Sequence, residues 1–78
     1  MELVYKYITV GSADGAIIEN GKPLYGVMNN RSRAALGGIM WYPRWRLWVF
    51  NADPDAIFSA DCLADIQDAI AKITAEEK

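Results

Sequence analysis

The sequence has no histidine, and Cys62 is the single cysteine among its 78 residues. An intrachain disulfide is therefore impossible, and neither a thiolate nor an imidazole metal cluster can be assembled. The lack of histidine also removes the commonest general base near neutral pH and every nucleophile that histidine activates. These absences predict a protein that is not an enzyme and holds no cofactor or metal.

Long apolar runs are missing as well. No run is long enough to span a bilayer, and the amino terminus lacks the basic start and apolar stretch of a signal peptide. With 53% hydrophobic and 23% charged residues, the chain is still too apolar for disorder. We expect a cytoplasmic protein folded as a single domain over residues 1–78, with no membrane partner. No small-molecule substrate is identified.

Charge is scarce in total but segregated along the chain. The net charge is −2, yet residues 20–52 carry five basic residues and no acid, while residues 53–78 carry seven acidic residues against two lysines. A basic middle and an acidic tail attract each other when folded. The aspartates of the tail are interpreted as a solvated helix face; the alternative is a surface that imitates nucleic acid or docks on a basic partner.

The first half of the chain has the pattern of antiparallel strands. Residues 3–10 are rich in β-branched and tyrosine side chains and predict one strand, which ends at the turn residues 11–15. The pair Asn20-Gly21 between two apolar runs is typical of a type I′ hairpin. Because Pro23 cannot donate a ladder hydrogen bond, the second strand of that hairpin, residues 22–28, should start at a sheet edge.

The next hairpin contains all three tryptophans. Residues 35–42 predict a strand in which Gly37 and Gly38 mark a bulge or a close approach of a bulky neighbour. Pro43-Arg44 turns the chain, and residues 45–50 return antiparallel. A four-residue loop from Tyr42 to Trp45 would place Trp41 opposite Arg46 and Ile39 opposite Trp48.

Both faces of this aromatic hairpin are apolar. Strand alternation gives one face Ile39, Trp41, Arg46, Trp48 and Phe50, and gives the other Met40, Trp45, Leu47 and Val49. One helix can cover only one of these faces. The other should be covered by the N-terminal strands, by a second subunit or by a ligand, because large exposed apolar patches usually mark interaction sites.

The period of the apolar residues changes after residue 56. Spacings of three and four from Cys62 to Ile73 predict an amphipathic helix over about residues 59–75, with Ser59 as its N-cap and Phe58 packed against Leu63. The predicted fold class is therefore α+β. An antiparallel sheet of about four or five strands, formed by β-hairpins within residues 3–50, packs against one C-terminal amphipathic helix.

The aromatic hairpin supports two interpretations. Its rings are either the packed core of a small sheet or, together with nearby arginines, a platform that binds a protein or a nucleic acid. An isoelectric point near 4.9 weighs against strong binding to a phosphate backbone. The candidate residues for a binding surface are Arg31, Arg33, Trp41, Arg44, Arg46 and Trp48.

Three segments carry a resemblance to a known group of proteins: residues 29–32 (Asn-Asn-Arg-Ser), residues 41–50 with Trp-Tyr-Pro-Arg-Trp-Arg, and Phe58 with the Cys-Leu-Ala-Asp-Ile of residues 62–66. The chain resembles small uncharacterised proteins of bacteriophage and mobile elements that share a Trp-Tyr-x-x-Trp-Arg hairpin and a Cys-Leu-x-Asp-Ile helix. The resemblance implies an origin and no known activity.

Together these features lead to the hypothesis of a non-enzymatic accessory protein of phage or prophage type. It would act by binding a macromolecule, either another protein or a second copy of itself, and host-directed inhibition such as anti-defence activity is one form of this. The alternative is a nucleic-acid-binding module that uses the aromatic and arginine face of the sheet.

Overall fold

The computed structural model of the chain describes residues 2–12, 18–19 and 21–76. The elements are β1 (Glu2–Val4), β2 (Ile8–Ser12), β3 (Ile18–Glu19), β4 (Lys22–Pro23), β5 (Tyr25–Asn29), β6 (Ala35–Tyr42), β7 (Leu47–Ala52) and α1 (Ala60–Glu76). One antiparallel sheet has the strand order β1-β2-β5-β6-β7, and the short β3-β4 hairpin forms a second sheet. This arrangement confirms the predicted α+β fold, although the strands span residues 2 to 52 rather than 3 to 50.

The prediction of one strand over residues 3–10 is wrong, because this segment forms the β1-β2 hairpin. Leu3 lies opposite Val10, and the Tyr5 amide donates to the Ile8 carbonyl at 2.8 Å. The turn is held from outside: the Asn30 side chain donates to the Tyr5 carbonyl at 2.8 Å, and the Asn30 amide donates to the Tyr7 carbonyl at 2.9 Å. Asn30 lies 25 residues from Tyr5 in the sequence, so the pattern of neighbouring residues does not predict this contact.

The Asn-Gly hairpin is confirmed between β3 and β4. Glu19 pairs with Lys22, and Gly21 has the positive φ of 74° that the turn requires. Asn20 itself lies outside the described residues. The predicted strand over residues 22–28 is divided, because β4 ends at Pro23 and β5 starts at Tyr25 in the other sheet.

The aromatic hairpin forms with β6 bounded as predicted, but its register differs from the predicted one by two residues. Trp41 lies opposite Trp48, and Ile39 lies opposite Phe50. The loop occupies residues 43–46, because the Arg46 amide donates to the Tyr42 carbonyl at 2.9 Å and Arg46 takes a left-handed φ of 55°. Arg46 therefore leaves the strand, but a shift of two residues keeps every other side chain on its predicted face.

One face of the five-stranded sheet packs against α1 and forms the core. Trp48 sits in it, with ring centroids 5.8 Å from Tyr25 and 5.9 Å from Trp41 in edge-on contacts. The buried residues are Ile8, Val10, Tyr25, Val27, Leu36, Ile39, Trp48, Cys62, Ile66, Ala69 and Ile73. Aromatic edge-to-face contacts add specificity to a core that is small.

A bulge interrupts the pairing of β5 with β6, next to Gly37. The register shifts between Val27 and Met28, and Gly37 has a φ of 151°. A Cβ at Gly37 would collide with the Asn51 carbonyl oxygen and lie 2.9 Å from Phe50 Cζ. Both expectations for the glycines of β6, a bulge and a close approach, are therefore met at Gly37.

Helix α1 begins where the sequence predicts. The Ser59 hydroxyl accepts a hydrogen bond from the Cys62 amide at 3.1 Å, as an N-cap does. Phe58 packs edge-on against Phe50 at 5.5 Å, whereas Leu63, its predicted contact, is 52% exposed. In the part of the chain that the structure describes, no helix has the length and apolar character to cross a membrane.

Candidate functional site

The sheet face opposite α1, which we call the uncovered face, carries Thr9, Met28, Met40, Tyr42 and Val49. Strands β1 and β2 do not cover it, because they belong to the same sheet and lie beside β5 in it. Among the described residues, α1 is the one helix, and it packs on the opposite side. Neither α1 nor β1 and β2 therefore lies over this face.

A row of glycines crosses the uncovered face. Gly11 lies opposite Gly26, and Gly26 lies opposite Gly38, so three neighbouring strands place no side chain along this line. Two open depressions, of about 320 Å³ and about 380 Å³, lie along the row. The backbone is exposed at Gly26, whereas the Leu24 side chain lies over Gly38, with its Cδ1 3.4 Å from the position that a Cβ would take there.

The most exposed aromatic ring lies at one end of this face. Trp45 is 64% exposed, and its ring packs edge-on against Tyr42 at 4.9 Å between centroids. With Met40 and Val49, these two rings line an open depression of about 330 Å³. An exposed indole beside partly buried apolar side chains is typical of interaction surfaces.

The two tryptophans selected from the sequence lie elsewhere. Trp48 is 5% exposed in the core. Trp41 is half-buried on the same side as α1, where the Lys22 ammonium lies 5.3 Å from its ring centroid. The uncovered face therefore presents Trp45 instead, which the candidate set omitted. The signal that points to Trp45 is its place in the turn after Pro43, outside the strands.

The four candidate arginines do not form one cluster. Arg31 and Arg33 lie in the β5-β6 loop, whereas Arg44 and Arg46 lie in the β6-β7 loop, at the other end of an eight-residue strand. At about 3.4 Å per residue the two pairs are about 24 Å apart. All four are exposed, and the ion pair found among the described residues, between Lys72 and Asp68, involves none of them.

The two loops that hold these arginines are built alike. Arg33 and Arg46 both have left-handed backbones, with φ of 64° and 55°. The amide of each donates at 2.9 Å to the carbonyl four residues earlier, which belongs to Asn29 in one loop and Tyr42 in the other. A left-handed conformation costs a residue with a Cβ about 1–2 kcal/mol relative to glycine. Each loop therefore holds an exposed arginine where glycine would be less strained.

One polar network lies on the helix side, away from the uncovered face. The Tyr5 hydroxyl donates to Asp68 at 2.7 Å, and Lys72 lies 3.0 Å from the same carboxylate. Burial, followed by the hydrogen bond to Asp68, raises the pKa of Tyr5 well above its usual value. The bond from Tyr5, followed by that from Lys72, lowers the pKa of Asp68. This network ties α1 to the β1-β2 turn.

Acidic and cysteine side chains do not gather into a metal site: within the described residues, no three of them come together. Comparison with protein-family models, with curated proteins and with solved structures finds no match. What the geometry offers is an apolar face with an exposed indole at one end and arginines at both ends.

Proposed function

We propose that this chain is a non-enzymatic accessory protein that acts by binding another protein through the uncovered face. The motif resemblance supports the further proposal that it is of phage or mobile-element type. Host-directed inhibition, including anti-defence activity, is the form of action that such an origin favours. In this proposal the partner carries an apolar surface, because the face is apolar and shallow.

The observation that carries this proposal is the exposure of Trp45 at the end of a face that neither α1 nor β1 and β2 covers. Tryptophan is enriched among residues that dominate binding energy. Leu47, 57% exposed on the adjoining strand, adds further apolar surface. The exposed backbone at Gly26 allows a partner side chain to approach closely.

A site-specific photo-crosslink tests this proposal. A photoreactive phenylalanine analogue replaces Trp45, and a matched variant carries it in place of Ile57, which is 88% exposed but lies in the loop before α1. We expect one defined protein adduct at position 45 and none at position 57. Excess wild-type chain should suppress the adduct, and Trp45→Ser should not. Identical adducts at both positions, or adducts with the chain itself alone, would contradict the proposal.

Nucleic-acid binding is the second candidate, and the position of Trp45 between Arg44 and Arg46 favours it. A base can stack on an exposed indole while arginines contact phosphate, and such stacking is worth about 1–3 kcal/mol per base. The separation of the two arginine pairs and the net charge of −2 weigh against it. Titration of tryptophan fluorescence with single-stranded and duplex oligonucleotides at low and moderate salt tests this candidate. Unchanged emission at low salt would exclude it.

A further inference from the structure

The outer edge of β7 is an unprotected sheet edge. Strand β7 is the last in the order β1-β2-β5-β6-β7 and holds six residues, Leu-Trp-Val-Phe-Asn-Ala, with no charge, proline or glycine. The opposite edge, β1, has three residues and includes Glu2. Soluble proteins usually protect an edge by keeping it short or by placing charges or proline on it. Edge β1 follows that rule, and edge β7 does not.

Alternate residues of β7 point their backbone groups away from the sheet. The Asp53 amide donates to the Leu36 carbonyl of β6 at 2.9 Å. Every second residue of an antiparallel strand faces the same neighbour, so Leu47, Val49 and Asn51 also face β6. The amides and carbonyls of Trp48, Phe50 and Ala52 then point outward. Within the described residues, no hydrogen bond reaches these groups.

Opposite charges flank this edge. At one end, the β6-β7 loop carries Arg44 and Arg46; at the other, the chain leaves β7 through Asp53 and Asp55. All four side chains are exposed, and none takes part in the ion pair found among the described residues. Arg31 and Arg33 of the β5-β6 loop lie at the same end of the sheet as the two aspartates. The complementarity therefore concerns the residues that flank β7 itself, which are arginines before it and aspartates after it, and these meet when two copies pair antiparallel.

We propose that the chain forms a two-fold homodimer in which β7 pairs antiparallel with β7 of a second copy, with the symmetry axis at Phe50. Trp48 then lies opposite Ala52 of the other copy, and all three outward-facing residues exchange backbone hydrogen bonds. Moving the axis to Val49 would pair Ala52 with Arg46, which is outside the strand. Moving it to Asn51 would pair Trp48 with Pro54, which has no amide proton.

The same axis brings the charged ends together. Leu47 lies opposite Asp53 of the other copy, so the β6-β7 loop of each copy lies beside residues 53–55 of its partner, twice by symmetry. The two Phe50 rings meet on the helix side, where Phe58 already packs on Phe50. The dimer doubles the sheet to ten strands and places two uncovered faces side by side. The dimer depends on the edge of β7 and the proposed function on the uncovered face, but the loop that holds Trp45 borders both. A crosslink from position 45 to a second copy therefore reports the dimer, and a crosslink to another protein reports the proposed function.

Mass and amide exchange of the purified chain test the dimer. Sedimentation should give twice the 8.7 kDa mass of the chain, with dissociation on dilution and in high salt. The amides of Trp48 and Phe50 should be protected from exchange together with those of Val49 and Asn51. Ala52→Pro removes one outward amide and leaves the pairing of β7 with β6 intact. Its sedimentation mass should fall to that of the monomer. Of the four amides, only those of Val49 and Asn51 should stay protected from exchange.

Charge reversal tests the register. Asp53→Arg with Asp55→Arg should be monomeric, as should Arg44→Asp with Arg46→Asp, and an equimolar mixture of the two should recover the dimer mass. Glu2→Lys with Lys6→Glu, at the far edge, is the matched control and should dimerise like the wild type.

A wild-type chain that stays monomeric at its highest soluble concentration would overturn the proposal. Dimers that persist in every variant would overturn it too, because they would place the contact on another surface. Circular dichroism verifies that each variant is folded. A chain that does not dimerise can still be tested for a photo-crosslink from position 45 to another protein. The two proposals can therefore fail separately.

Discussion

Gly37 is the position at which a single methyl group should do most harm to the fold. Its φ of 151° is one that residues with a Cβ rarely adopt. A Cβ there would collide with the Asn51 carbonyl oxygen, lie 2.9 Å from Phe50 Cζ and lie 3.0 Å from the Ala52 Cα. Two of these three atoms belong to the backbone of β7, which cannot move without breaking its pairing with β6.

The cost of Gly37→Ala has two parts. The backbone conformation costs about 1–3 kcal/mol. Overpacking against β7 costs about 1–3 kcal/mol more. Alanine recovers about 0.4–1 kcal/mol by restricting the unfolded chain. The net loss is about 1–6 kcal/mol, against a total stability of about 4–12 kcal/mol for a chain of this length. Gly37→Ala should therefore unfold at a markedly lower urea concentration than the wild type.

Gly26→Ala is the matched control, since the nearest atom to its added Cβ is the Gly11 carbonyl oxygen at 4.0 Å. We expect its free energy of unfolding to equal the wild-type value or to rise by up to about 1 kcal/mol. Urea denaturation followed by tryptophan fluorescence measures both variants. Equal losses in the two variants, or a loss below about 0.5 kcal/mol for Gly37→Ala, would refute the packing described for β6 and β7.

Three further substitutions test other parts of the fold. Arg46→Gly should raise the free energy of unfolding by about 0.5–1 kcal/mol in urea, because relief of the left-handed strain outweighs the added freedom of glycine; an unchanged or lower value would contradict the strain. Ser59→Ala removes the N-cap hydrogen bond and should lower the free energy of unfolding, measured by thermal unfolding, by about 1 kcal/mol. An unchanged value would mean that the Ser59 hydroxyl does not stabilise the helix. Tyr5→Phe should change the pH dependence of stability, measured by urea denaturation across pH. Since the fold raises the pKa of Tyr5, the wild type should lose stability above about pH 10, the usual tyrosine pKa. Since it also lowers the pKa of Asp68, the wild type should lose stability as the pH falls below the usual aspartate range. Both slopes should flatten in Tyr5→Phe, and identical profiles would contradict the Tyr5 to Asp68 bond.

Local chemistry explains which parts of the fold can be predicted from the sequence. Some features depend only on neighbours within a few residues and can therefore be predicted from the sequence. These are the N-cap at Ser59, the helix period after it and the bounds of β6. The β1-β2 turn depends on Asn30, far along the chain, and was therefore missed. The aromatic hairpin register was wrong because Arg46 adopts a left-handed conformation, for which arginine gives no sequence signal.

The candidate site shows a similar division. Alternation correctly places Trp41 and Trp48 on one face, but it cannot say which face α1 covers, since both are apolar. That choice depends on the whole core and puts Trp48 inside and Trp45 outside. The four arginines are close in sequence, yet the antiparallel path of β6 sends them to opposite ends of the sheet. Proximity along the chain therefore misleads wherever a strand separates two loops.

Fluorine NMR of the chain labelled with 5-fluorotryptophan tests most directly which tryptophans of the aromatic hairpin are buried and which are exposed. Each tryptophan gives one resonance, and Trp45→Phe identifies that of Trp45. Transfer from water to deuterium oxide should shift the Trp45 resonance strongly, the Trp41 resonance less, and the Trp48 resonance not at all. A Trp48 resonance as sensitive to solvent as that of Trp45 would contradict the placement of Trp48 in the core and of Trp45 on the uncovered face.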